Sequence, residues 1–215
     1  MTDPSARKPV ALQARSRRSQ EAILQAGFAL LQEGGPDALT VAAVAERAGM
    51  AVGSIYRRFG DKEGLLRAIQ QAFTDLLDAE FADRISVARL RILRDPAVAV
   101  AETVGAFTDS FQAHEELLRV FLLLGTRHEA VHALGSRVSV EGGHRFAEAL
   151  EHIPVAHPDR AAALDFAYRL VYANLAHRIT QGEFLESDRP LPWSELRSRL
   201  QTVVIAYLLG VAEGL

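Results

Sequence analysis

At 215 residues the chain can bury a large core, as one domain or as a small domain joined to a larger one. Its composition, 49% hydrophobic and 24% charged, excludes a disordered chain, and the lack of cysteine excludes disulfides and thiolate metal sites. The net charge of -3 argues weakly against nucleic-acid binding, but residues 1–70 carry ten Lys/Arg against seven Asp/Glu while the remainder carries fourteen against twenty.

Residues 1–15 read as a loose arm. Arg7, Lys8, Arg15, Arg17 and Arg18 could touch phosphates there and just beyond it, although a plain solvated tail serves Arg7 and Lys8 equally well. The basic start is not followed by an apolar run with a cleavage site, and no stretch reaches the roughly eighteen consecutive apolar residues of a membrane span. A cytoplasmic protein is expected. From Ser16 the pattern turns helical, with Ile23, Leu24, Phe28 and Leu31 on one stripe that ends at Gly34-Gly35-Pro36.

The segment from Thr40 to Leu65, TVAAVAERAGMAVGSIYRRFGDKEGL, carries the functional signal. Thr40 sits where an N-cap belongs, ahead of Val41, Val44 and Ala45, and Ala43 at the third helical position leaves no capping box. Gly49 ends this short helix, Val52 to Phe59 forms the next, and Asp61 can cap a long helix from Lys62. Two short helices around a tight glycine corner are the layout of a helix-turn-helix reader of duplex DNA. Met50, Val52, Ile55 and Phe59 can close a small core, leaving Gly53, Ser54, Tyr56, Arg57 and Arg58 outward. Gly53 permits close approach, Ser54 can donate to a phosphate or base, and Tyr56 suits a phosphate. The Arg57 fork matches guanine O6/N7, whereas Arg58 and Lys62 suit phosphates. Short helices with glycine turns also occur in many other proteins, where such arginines form an ordinary solvated face.

The body continues as helices at Ser86 to Leu93, Pro96 to about Phe111, Glu115 to Leu124, Glu129 to Leu150, Asp159 to about Gln181 and Ser194 to about Val211. No strand pattern competes with these, and an all-α fold is expected. His128 and His132 share a helix face and could join His114 or His144 around zinc, but no HExxH pattern or acidic partner supports that. No nucleophile motif, phosphate loop or dinucleotide fingerprint is present, so no catalytic residue, metal or cofactor is expected.

Residues 17–65 resemble the TetR family of bacterial transcriptional regulators. The resemblance rests on ILQAGFALLQEGG, on the segment quoted above, and in particular on Gly49, Tyr56, Phe59, Lys62 and Leu65. It implies a DNA-binding head at 1–61 with its N-terminal arm, and a larger helical ligand-binding and dimerisation body at 62–215. Carried across, it makes Thr40, Val52, Gly53, Ser54, Tyr56 and Lys62 expected DNA contacts, beside Arg17, Arg18, Arg57 and Arg58, which are expected from their own chemistry. Ala51 stands where the family often has a hydroxyl residue, and Gly64 weakens the first turns of the connecting helix.

The same resemblance implies a small-molecule effector that lowers operator affinity, with an aromatic or lipophilic compound suited to the candidate wall. That wall comprises Phe107, Phe111, His114, Leu118, Phe121, Leu122, His128, Phe146, Phe166, Tyr168 and Tyr172, although aromatics at such spacings also serve as core. The dimer candidates are Phe166, Leu170, Ala173, Asn174 and His177 on one helix, and Leu200, Val203, Val204, Tyr207 and Leu208 on the last. The expected protein is a homodimeric repressor on a palindromic operator, released by its effector. A helical dimer that binds small molecules or a protein partner and has lost operator binding is the alternative. Ala51 and the modest head charge are its support.

Overall fold

The computed structural model describes residues 7–85, 92–184 and 187–210, with side chains described from Arg15. The fold is all-α: a helix-turn-helix bundle of three N-terminal helices is followed by a larger helical domain. Two compact units divide at Phe73 and Thr74.

The first unit begins with α1 (Arg7–Ala38), so the segment expected as a loose arm is helical from Arg7 onward. The helical path breaks at Gly35, whose φ of 63° is left-handed, immediately before Pro36. α2 (Val41–Arg47) follows, with the Thr40 side chain accepting from the Ala43 amide at 3.0 Å. α3 (Val52–Phe59) and α4 (Lys62–Arg84) come next. Ile23, Leu31, Leu39, Val44, Ala45, Ile55, Leu65 and Ile69 are almost fully buried and form the core of this unit. A β-carbon at Gly27 would collide with the Ile69 side chain, so α1 and α4 come together where α1 carries no side chain. Arg47 and Glu33 add a two-pronged ion pair between α2 and α1, with nitrogen–oxygen distances of 2.8 and 2.6 Å. That pairing holds the Glu33 carboxyl below its ordinary pKa.

The second unit contains α5 (Pro96–Ala113), α6 (Glu115–Gly125), α7 (Glu129–Ala149), α8 (Arg160–Gln181) and α9 (Trp193–Leu209). Asp95 and Asp159 cap α5 and α8 through their carboxylates. The helix expected from Ser86 falls on residues 86–91, outside the described residues, while Ile92 and Leu93 are not helical. α9 starts at Trp193, one residue before the expected Ser194, and packs along α5 and α8. The core joins Phe107, Phe146, Leu150, Val171, Leu175, Ile179, Leu200, Val204 and Leu208. The Phe107 ring meets Phe81, Phe146 and Tyr168 at centroid distances of 4.5, 5.7 and 5.7 Å.

Candidate nucleic-acid interface and ligand groove

The corner between α2 and α3 is closed by backbone. The Met50 amide donates to the Ala45 carbonyl at 2.8 Å, and Gly49 takes a φ of 64° that favours glycine. Val44, Ala45 and Ile55 face inward and are buried. Every other side chain of α3 therefore lies at or near the surface. Tyr56 is 51% exposed, Gly53, Arg57 and Arg58 are exposed, and Ser54 is half-buried.

Val52 departs from the core role expected for it. Although it shares a helix face with Ile55 three residues on, it is 43% exposed in the first turn of α3. Ala51, at the N-cap of α3, supplies no side-chain hydrogen bond, and the Ser54 amide of the first turn donates to the Ala51 carbonyl at 2.9 Å. Arg58 is turned back onto α1, its guanidinium donating to the Ser16 hydroxyl at 3.1 Å and to the Ser16 carbonyl at 3.3 Å. Ser54, Arg57 and Arg58 share a cleft of about 270 Å³ with Ser19, Ile23 and Met50. Arg17, Arg18, Thr40 and Lys62 are exposed. Asp61 caps α4 by accepting from the Gly64 amide at 2.7 Å.

In the second unit an open groove of about 1010 Å³ runs between α7 and α8. Val140, Ala147, Leu164, Tyr168, Tyr172 and Ala173 form its apolar wall, and Ser139, His144, Glu148, Arg160, Asp165 and Arg169 are among its polar groups. Arg160 fastens one end by donating to the carbonyls of Leu150, Glu151 and Ile153, each at 2.6 Å. These carbonyls belong to the C-cap of α7 and the turn that follows it, where the Leu150 carbonyl also accepts from the Ile153 amide at 3.2 Å. The Tyr168 hydroxyl donates to the Ser139 carbonyl at 2.6 Å. Burial pushes the Tyr168 phenol up to about 12.

Of the residues expected around an effector, Tyr168 and Tyr172 line this groove. Phe107, Phe111, Phe121 and Phe146 are buried, and Leu118 and Leu122 pack partly buried against the core. Their helical spacing turns them into the centre of the unit instead of onto a free wall. His114 bonds to Glu80 at 2.9 Å, and Phe166 is 51% exposed. His128 precedes α7 and, with Leu122 and His132, borders a separate cleft of about 520 Å³. Among the described residues no group of three His, Cys, Asp or Glu side chains is placed to hold a metal ion.

Val140, Gly143, His144, Ala147, Arg160, Leu164 and Arg169 were not anticipated as groove residues. Their sequence signal is the Gly142-Gly143 pair, which reads locally as a helix weakness. In the fold it makes room for Tyr168, since a β-carbon at either glycine would crowd that ring.

The candidate dimer face divides in two. Phe166, Ala173, Asn174, His177 and Val203 are exposed, Leu170 and Tyr207 are half-buried, and the Phe166 and Tyr207 rings lie 5.3 Å apart. Leu200, Val204 and Leu208 are instead buried in the chain's own core and offer no surface to a partner.

Residues 23–69 match the profile of bacterial regulatory proteins of the tetR family, a span that contains α2, α3 and their glycine corner. This segment of the chain is similar to the TetR family of regulators. The HTH-type transcriptional repressor KstR2 of Mycobacterium tuberculosis is 33% identical over 106 residues, or 49% of this chain and 48% of that protein. The chain thus spans about half the length of the curated relatives it matches. The TetR fold extends over most of the chain. A TetR transcriptional regulator from Agrobacterium tumefaciens superimposes with a TM-score of 0.64 at 24% identity, covering 89% of this chain and 92% of its own. The fatty acid degradation regulator FadR from Bacillus halodurans gives a TM-score of 0.63 at 17% identity, covering 87% and 94%.

Proposed function

We propose that this chain is a ligand-responsive transcriptional repressor that binds a palindromic DNA operator as a homodimer and is released by a small-molecule effector. The observation that carries this reading is α3, a short helix with Gly53, Tyr56, Arg57 and Arg58 exposed beside a tight glycine corner. A single helix of this length reads few bases, and a two-fold pair doubles the site. Thr40, Tyr56, Lys62, Arg17 and Arg18 contact phosphates, and Arg57 reads a guanine edge. Such a protein works in the cytoplasm, and no described helix is long and apolar enough to cross a membrane.

The effector occupies the groove between α7 and α8. Tyr168, Tyr172 and Leu164 present aromatic and aliphatic surface to a lipophilic ligand, and Arg160 and Arg169 hold its polar end. The dimer forms through the exposed residues of α8 and α9, with Phe166, Asn174 and Val203 at its centre. In the binding state the two recognition helices fit successive major grooves, roughly 34–36 Å apart. Effector binding shifts α4 and biases the dimer toward a spacing that no longer fits.

Selection of genomic DNA fragments by the purified protein at fixed moderate salt tests this reading. Enrichment of one palindrome is expected. A folded dimer that enriches no sequence would overturn the operator reading and favour a helical ligand-binding dimer with an inactive head.

A further inference from the structure

A second pocket, of about 480 Å³, lies where the end of α5, the end of α8 and the start of α9 meet. The proposed function does not use it. Arg178 lines it and is only 7% exposed. One Arg178 nitrogen reaches Glu115 at 3.3 Å and the guanidinium lies 4.9 Å from the Trp193 ring centre. The Arg178 Nε has no acceptor among the described residues. That nitrogen is itself closed to solvent, so an incoming acceptor meets Arg178 at the part of its side chain that lines the pocket.

The N-terminus of α9 opens onto the same pocket through Trp193 and Ser194. Its N-cap is Pro192, which provides no side-chain hydrogen bond. The first amides of a helix have no helical acceptor and form its positive end, so they too favour a carboxylate. The remaining charges are not those of a bare anion site. Asp109 holds Arg197 at 2.6 Å, and both Asp109 and Glu183 line the wall. A polyanion would meet those two carboxylates, whereas a ligand carrying an ammonium beside its carboxylate uses them.

We propose that this pocket binds a small zwitterion of the amino-acid class, its carboxylate on Arg178 and the α9 amides and its ammonium toward Asp109 and Glu183. The volume suits a molecule at the small end of ordinary ligand sites. Occupancy competes with Glu115 for Arg178. Glu115 also accepts from the Trp193 indole at 2.9 Å, and its neighbour His114 bonds to Glu80 of α4. The ligand thereby acts on a chain of contacts that ends on α4.

Trp193 is the single tryptophan of the chain and reports on its own pocket. The full-length protein is titrated with each standard L-amino acid, and with acetate, ammonium and inorganic phosphate as single-charge probes. A saturable change in tryptophan emission is expected with at least one amino acid, with a Kd of about 1 mM or tighter. The N-acetylated and amidated forms of that amino acid should bind at least about tenfold more weakly. Ser194→Asp places a carboxylate at the start of α9 and should abolish the response without lowering the melting temperature. Arg178→Lys should weaken it at least about tenfold. The proposal is overturned if no amino acid gives a saturable change, if acetate or phosphate reproduces it, or if both variants leave it intact. No DNA enters this measurement, so its outcome is independent of the operator reading.

Discussion

The Arg58 guanidinium of α3 donates to the hydroxyl of Ser16 on α1 at 3.1 Å and to its carbonyl at 3.3 Å. Both residues are exposed, so these bonds hold Arg58 only lightly, by about 1 kcal/mol. A phosphate must displace Ser16 before Arg58 can clamp it. Ser16→Ala should therefore tighten binding to random duplex DNA about two- to fivefold at low salt. Fluorescence anisotropy measures this directly. Weaker binding would show that Ser16 itself contacts DNA.

Arg57 has a different task. It lines the cleft beside Ser54 and is exposed beyond it. Arg57→Ala should cost about 1–3 kcal/mol on the operator and much less on random DNA. Equal losses on both, measured at one salt concentration, would assign Arg57 to a phosphate.

Gly64 reverses a propensity argument. Alanine in the first turn of α4 should favour the helix by about 1 kcal/mol. A β-carbon there would overlap the Phe59 carbonyl oxygen. The turn between α3 and α4 must move to admit it, at a cost of about 1–3 kcal/mol. Gly64→Ala should lower the melting temperature, and a rise by circular dichroism would refute the overlap.

Val203 and Val204 are chain neighbours with opposite fates, one 48% exposed and the other 1% exposed. Val203→Glu should yield monomers in sedimentation experiments, with the protomer fold retained. Val204→Ala should destabilise the protomer by about 1–3 kcal/mol. Unchanged dimers of the Val203 variant would move the interface off this part of α9.

Tyr168 makes stability depend on alkaline pH. Burial raises its pKa from 10.0 to about 12, so the folded chain holds the phenolic proton longer than the unfolded chain does. The resulting stabilisation is complete below pH 10 and is lost as the pH rises through about 12. Denaturant unfolding across this window should show a decline that Tyr168→Phe reduces by roughly 2–3 kcal/mol. An identical decline in the variant would place the alkaline sensitivity elsewhere.

The helical order was readable because most segments carry both a periodic apolar face and a local stop. Thr40 and Asp61 hydrogen-bond as their positions suggested. The start of α1 was missed, since Arg7–Arg15 has little apolar periodicity. In the body, periodicity identifies buried faces but not which buried face is partly open. Phe107 and Tyr168 belong to one aromatic cluster, yet only Tyr168 reaches the groove. That distinction depends on how two distant helices meet, as does the division of α9 between an exposed Val203 and a buried Val204. The pocket around Arg178 joins residues from three helices and has no signature in any one of them.

The Gly142-Gly143 pair gives the groove an adjustable floor. Tyr168 rests where two side chains would otherwise stand. A single added methyl group at position 143 would tilt that ring and reshape the cavity while leaving Val44, Ile55 and the corner at Gly49 untouched. Glycine and alanine codons differ by one base. If the groove holds the effector as proposed, one such step exchanges one ligand for another and leaves the DNA-facing helix as it is.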